Sequence, residues 1–438
     1  MKARIGIRAE DPNIWERRAP LIPSHVRALQ QNYPLEIWIQ PSSTRIFSDD
    51  EYRREGAILA NDLSPCQVIV AVKEVPPSAI LPEKTYLFFS HTTKGQPQNM
   101  DMLRRLADRR CTLIDYERII DDQGRRLVFF GRQAGQAGMV DTLWALGRKL
   151  KKEGFDTPLL RLEQTWRYPS LAGAQEGVIK AGQEVAEGGL ASALAPLVVG
   201  FAGYGHTSQG AQEIFDLLPF REVEPAGLEN LFHEGHISSR CFYKVVFREE
   251  HMVEPGRKGK FFNLQEYYQQ PHLYRSRFAE YLPCLSALVN CIYWEPRYPR
   301  FVTLQDLKRL YLANGRPRLR VIGDVSCDIG GSVECTVKHA NPKDAIYVYD
   351  IKEDRARDDL QGLGPVVLAV CNLPAEISRE SSIFFSRVLK DFIPAVAQAD
   401  FKSAFAELAL PAAMKRAVIL HRGELSPAYS TLESFLRK

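Results

Sequence analysis

One segment limits the fold more than any other. Leu197–Phe201 is an apolar run that breaks into Gly203-Tyr204-Gly205-His206-Thr207-Ser208-Gln209-Gly210. A helical pattern follows at once, with Ala211, Ile214, Phe215 and Leu218 spaced i, i+3, i+4, i+7. Strand, glycine turn and helix in direct succession make half of a βαβ unit, and such units stack into parallel sheets covered by helices. The alternation recurs along the chain. Ile5–Arg8, Leu35–Ile39, Val68–Val72, Tyr86–Phe89 and Thr112–Ile114 read as strands. Pro23–Gln30 reads as a helix, as does a face of Leu171, Ala174, Val178 and Val185 closed by Gly188-Gly189. Toward the end, Val366–Val370 reads as a strand and Ser382–Val396 as a helix. The expected fold class is α/β.

The turn itself carries chemistry. Gly203 allows a tight reversal, Gly205 lets backbone approach a pyrophosphate, and the N-terminus of the helix that follows would face the anion with its positive dipole end. Ser208 stands where a dinucleotide fingerprint has its third glycine, and it is small enough for close helix–strand packing. The strand Phe220–Glu224 ends in Glu222 and Glu224. A carboxylate there can hold both ribose hydroxyls of NAD and repel a 2′-phosphate, while Arg221 between them does the opposite.

Composition excludes several other classes. Lys+Arg total 57 against 53 Asp+Glu, so no global basic field marks a nucleic-acid binder. No apolar run reaches the ~20 residues that span a bilayer, so no membrane partner is expected. The opening MKARIGIRAED lacks the apolar core of a signal peptide, and the eight cysteines form no C-x-x-C. Reduced thiols in a cytoplasmic protein are expected. The basic knots Arg148–Lys152 and Arg257–Lys260 read as solvated faces, and Trp294-Glu295-Pro296 as a packed aromatic turn. His233 and His236 lack a third ligand nearby, so no metal site is expected.

Three motifs lie in the first part of the chain. Glu16-Arg17-Arg18-Ala19-Pro20-Leu21-Ile22-Pro23 sets two arginines before an apolar turn. Lys73-Glu74-Val75-Pro76 and Ser90-His91-Thr92 each place a titratable group just past a strand, where parallel sheets bind ligands. Together these resemble the alanine dehydrogenase/saccharopine dehydrogenase superfamily, with its E-x-R, K-E-x-P and following histidine segments. The narrower resemblance is to the lysine–ketoglutarate reductase half of the aminoadipic semialdehyde synthases. It rests on IGIRAEDPNIWERRAPLIPSHV, KTYLFFSHTTKGQ, LIDYERIIDDQGRRLVFFGRQAGQAGMVD, GYGHTSQGAQEIFDLLP, NCIYWEPRYPR, GDVSCDIGGSVECT and NLPAEISRESSIFFS. These stretches run through nearly the whole chain.

The resemblance implies two Rossmann-like domains with parallel-rich sheets flanking a cleft. Residues 1–138 plus 350–438 would form the substrate domain and 139–349 the dinucleotide-binding domain, with Gly131–Gly138 as a hinge. It implies a reductive condensation in which lysine's side-chain amine meets the ketone of 2-oxoglutarate. The carbinolamine loses water, and hydride reduces the imine to saccharopine, a step in lysine degradation. Such chemistry needs guanidinium forks for substrate carboxylates, a base for the amine and an acid for the leaving hydroxyl. Carried over by motif, Lys73 and His91 are the acid–base pair. Arg18, Glu74, Glu117 and Arg126 face substrate, with Arg125 an equal neighbour of Arg126. Gly203, Gly205, His206, Thr207, Ser208, Glu224 and Asp328 serve the cofactor, although Asp328 also suits a plain turn before Gly330-Gly331.

His206-Thr207 replaces the family's Asn-Val, and Cys371 replaces an acid. NADP(H) is preferred from the resemblance, with NAD(H) the alternative that Glu224 favours. The motifs match the first half of the family alone, and a separate saccharopine-cleaving dehydrogenase is an expected partner. The rival readings are a related opine or amino-acid dehydrogenase with another amine or oxo acid, and a catalytically silent metabolite-binding homologue.

Overall fold

The computed structural model describes residues 2–10, 13–233, 237–314 and 317–436. The chain divides into two compact units, Met1–Phe130 with Ser378–Lys438, and Gly131–Ile377. Each is an α/β unit built on one eight-stranded sheet.

In the first unit the sheet runs Glu424–Leu425, Val418–His421, Thr112–Asp115, Thr85–Phe88, Val68–Val70, Ala3–Ile7, Leu35–Ile39, Ile58–Leu59. The strands from Thr112–Asp115 to Ile58–Leu59 are all parallel. Their order is that of a doubly wound Rossmann sheet, and it reverses between Ala3–Ile7 and Val68–Val70. The returning chain adds Val418–His421 antiparallel to Thr112–Asp115. Val68, Ile69 and Val70 are all buried, as a parallel strand covered on both faces requires. Each such side chain contributes about 2 kcal/mol to burial of the core.

The second sheet runs Arg355–Arg357, Ile346–Asp350, Val366–Leu368, Val321–Asp324, Ala287–Asn290, Val198–Ala202, Phe242–Phe247, Phe220–Glu222. Strands from Val366–Leu368 onward are parallel, and the first two form an antiparallel edge. Side chains alternate between two cores. Val199 and Phe201 enter one, whereas Val198 and Ala202 enter the other.

Three expectations need revision. Gly131–Gly138 is no hinge but the start of the helix Gly131–Lys152. Gly135 serves packing against the helix His206–Phe215, and Gly138 lies against Val325 and Leu373. A Cβ on Gly135 would sit 1.9 Å from the Thr207 carbonyl oxygen, and one on Gly210 would sit 2.0 Å from that of Arg132. Residues 350–377, expected in the first domain, lie in the second unit. The reason is Val366–Leu368, which pairs with both Val321–Gly323 and Ile346–Val348. The helix expected over Ser382–Val396 is two, Ser378–Leu389 and Ile393–Gln398. Pro394 has no N–H for a continuous helix and suits the first turn of a new one.

Among the described residues no helix is long and apolar enough to cross a membrane, and no group of three or more His, Cys, Asp or Glu is placed to hold a metal ion. His236 lies outside the described residues.

Candidate active site

The first unit gathers its ionisable groups at the carboxyl ends of neighbouring strands. Glu10 lies past the end of Ala3–Ile7 on one side of the switch point, and Lys73 past the end of Val68–Val70 on the other. Glu10 joins them, accepting the backbone N–H of Val72 at 2.6 Å and of Lys73 at 3.0 Å. Its residue is half-buried but its carboxyl is enclosed. Lost solvation and the nearby charge of Glu16 push the Glu10 pKa up to about 7, against the pull of the two N–H bonds.

His91 stands just past Thr85–Phe88 with a left-handed backbone, φ 46°. A β-carbon makes that conformation costly, by about 1 kcal/mol or more, and such residues cluster at functional sites. The Asn99 amide donates to the His91 carbonyl at 3.1 Å, and the ring stacks on Phe89. Nδ1 of His91 is hydrogen-bonded to Glu74. Burial alone would raise the Glu74 pKa. The hydrogen bond and the charges of His91 and Lys73 outweigh it and hold the carboxyl below its usual range. Lys73, Glu74 and His91 thus form one electrostatic cluster.

Asp115 closes the next strand and is fully buried. It accepts the Ser90 hydroxyl and, at 2.8 Å, the Glu117 N–H. Burial, then the charge of Glu117, raises its pKa to about 6. Glu117 pairs with Arg126 at 3.4 Å. Arg125, the sequence alternative, turns away to Asp121 at 2.7 Å. Arg18 is buried, its Nε and Nη2 on the two oxygens of Glu16 at 2.8 and 2.6 Å. Its guanidinium lies 4.3 Å from the Phe130 ring centroid. Sequence reasoning missed Glu10 and Asp115. The signal available was an acid at or just past the end of an apolar strand.

In the second unit, Gly203 takes φ 92° and donates its N–H to the Phe247 carbonyl at 2.9 Å. The helix His206–Phe215 starts at Gly205 with no side-chain cap. A Cβ on Gly205 would meet no protein atom within 4 Å. Ser208 is fully buried, its hydroxyl accepting from Gln212 at 2.9 Å. A left-handed turn, an open backbone face and an uncapped helix start fit a pyrophosphate. Thr207 is half-buried there, and His206 and Glu224 are exposed. Asp328 is exposed in a turn, its carbonyl accepting from Gly331 at 2.9 Å. The buried acid at that end of the sheet is instead Asp324, held by Asn290 at 2.8 Å and by Ser326 and Thr336. Cys371 is exposed.

Two parallel-rich α/β units, one bearing an uncapped glycine turn, define the Rossmann-like class. The fold is that of an L-alanine dehydrogenase, with a TM-score of 0.63 at 18% identity over 99% of each chain. Residues 6–137 match the family described as alanine dehydrogenase/PNT, N-terminal domain.

The resemblance read from the motifs extends through the chain. The chain is 39% identical to the alpha-aminoadipic semialdehyde synthase of Arabidopsis thaliana, over 97% of its own length and 41% of that protein. It thus spans less than half of that relative. It is also 26% identical to a saccharopine dehydrogenase [NAD(+), L-lysine-forming] of Emericella nidulans, over 88% of this chain and 90% of that one.

Proposed function

We propose that the chain is a lysine–2-oxoglutarate reductase, joining the lysine side-chain amine to 2-oxoglutarate and reducing the product to saccharopine. The observation that carries this reading is the assembly of Lys73, Glu74–His91, Glu16–Arg18 and Glu117–Arg126 in one unit, past the ends of its parallel strands. The names of the similar proteins support the choice of substrates.

The arrangement meets each chemical demand. With Nδ1 of His91 directed at Glu74, Nε2 faces the other way and can take the proton of the incoming ammonium. Lys73 supplies a proton to the hydroxyl that leaves the carbinolamine. Arg18 and Arg126 hold substrate carboxylates, each oriented by its own acid. Gly203, Gly205, His206, Thr207 and Ser208 cradle the pyrophosphate of a nicotinamide dinucleotide, which supplies hydride when bound. NADP(H) is the preferred form and NAD(H) the alternative. A saccharopine-cleaving dehydrogenase would consume the product. The reading includes a cytoplasmic setting, which the eight unpaired cysteines support.

The test is a coupled-substrate assay with the full chain. Lysine plus 2-oxoglutarate should oxidise NADPH and yield saccharopine by mass spectrometry. Oxidation only with another amine or oxo acid would reassign the substrates. Nucleotide binding without turnover on any pair would make the protein a silent homologue.

A further inference from the structure

The strand beside the turn strand is Phe242–Phe247, in register through Ala202 and Phe247. The next residue, Arg248, is therefore level with Gly203 and one strand spacing away, about 4.8 Å. Its guanidinium lies over the Tyr204 ring, 5.3 Å from the centroid, at the centre of the glycine turn. Arg248 is exposed, and no carboxylate among the described residues forms an ion pair with it. His251 stands beside it. Nδ1 of that ring accepts the Arg248 backbone N–H at 3.0 Å, so the neutral ring carries its proton on Nε2 and remains a donor. Arg248 and His251 line a groove of about 590 Å³ that also reaches Tyr204 and Gln209.

Glu222 and Glu224 reach the same groove from the outer edge strand and the segment after it. Glu222 ends the outer edge strand and pairs with Lys244, itself level with Val199. That is two strand spacings from the turn strand, roughly 10 Å, and short of its end. Chain order puts Phe220–Glu222 directly after the helix, but the sheet inserts Phe242–Phe247 between it and the turn.

We propose that Arg248, with His251, receives the 2′-phosphate of NADP(H), and that Arg248 rather than Glu224 sets the choice of coenzyme. The proposal rests on the dinucleotide reading of the turn. A guanidinium fork binds a phosphate dianion through parallel N–H bonds, and the Tyr204 ring holds its plane at the rim of the groove. Glu222, Glu224 and Glu250 share that groove. With Arg248 removed, the remaining field is negative and opposes a phosphate.

Calorimetry on the full chain tests this without turnover, using NADPH, NADH and the fragments 2′,5′-ADP and 5′-AMP. The wild type should favour 2′,5′-ADP over 5′-AMP by about 10-fold or more. Arg248→Ser should cost NADPH about 10- to 100-fold in affinity and NADH far less, collapsing the preference. Arg248→Lys, which keeps the charge but not the fork, should fall between. Unchanged circular dichroism and melting keep the loss assigned to the site. Equal loss for both coenzymes, equal fragment affinities in the wild type, or a larger change in preference from Glu224→Gln would each overturn the proposal while leaving a dinucleotide site in place. A wild type that binds none of the four probes would remove the dinucleotide reading and this proposal with it.

Discussion

The two sheets share an architecture but present opposite chemistry at the ends of their strands. The first unit lines its rim with side chains: Glu10, Lys73, Glu74, His91, Asp115 and Glu117, several with perturbed pKa values. The second presents backbone, in a left-handed Gly203, an open Gly205 and an uncapped helix start. The strand that completes the first βαβ succession also differs. In the first unit Leu35–Ile39 pairs directly with Ala3–Ile7. In the second, Phe220–Glu222 is displaced to the edge. One layer architecture can thus be specialised in two ways. Titratable side chains past the strand ends suit it to proton transfer, and a turn that opens its backbone at Gly203 and Gly205 suits it to anion binding.

The largest effect that tests this division is on turnover. Lys73→Met and His91→Gln should each lower kcat by about 100-fold or more if, as proposed, each removes a group that moves a proton. Affinity for NADPH should change by less than about 3-fold, since these residues belong to the rim that is not assigned to the nucleotide; this is a sub-kcal/mol effect. Stopped-flow rates and fluorescence titration separate the two quantities. A nucleotide affinity that falls along with the rate would erase the distinction between the sheets.

A smaller effect is expected from the backbone side. Gly205 has ordinary φ, and a Cβ there meets no protein atom within 4 Å, so Gly205→Ala does not crowd the fold. Only a ligand drawn against that backbone would feel the added methyl. The dissociation constant for NADPH should rise about 10- to 30-fold with melting temperature unchanged. Unaltered affinity would mean that the pyrophosphate does not approach Gly205.

Much of this was legible in the amino-acid order, and the failures share a cause. The βα alternation and the glycine turn are local signals, as are the lysine and histidine just past buried strands. Glu10 was not legible because its partners, the N–H groups of Val72 and Lys73, lie 62 and 63 residues away. The nearness of Arg248 to the turn was not legible because sequence proximity favoured Glu224, and only the sheet order shows which strand adjoins the turn. Gly131–Gly138 looked like a hinge because glycine density does not distinguish chain freedom from close helix contact. The carbonyls facing Gly135 and Gly210 decide for contact.

The smallest expected effect concerns the enclosed carboxyl that ties the first sheet's rim together. Glu10 in the folded protein has a pKa of about 7, above the 4.5 of an exposed glutamate. The folded state therefore keeps a proton that the unfolded chain has released, and stability falls as pH rises from about 4.5 to about 7. Allowing for partial exposure, that decline amounts to about 1 kcal/mol. Asp115, raised to about 6, acts in the same direction. Glu74 acts oppositely, because its lowered pKa gives stability above the unfolded value that is lost as acid is added. Its window lies below about pH 4.5, so the two trends do not overlap. Glu10→Gln keeps one acceptor for the Val72 and Lys73 N–H groups but does not titrate. Melting temperatures measured from pH 5 to 7.5 should decline less steeply in the variant than in the wild type, with the residual slope shared by the other acids that burial raises, Asp115, Asp141, Asp324 and Glu376. Parallel slopes would show that Glu10 is already ionised at pH 5. The first rim would then be as well solvated as the groove of the second, and its enclosure could not be what sets its acids apart.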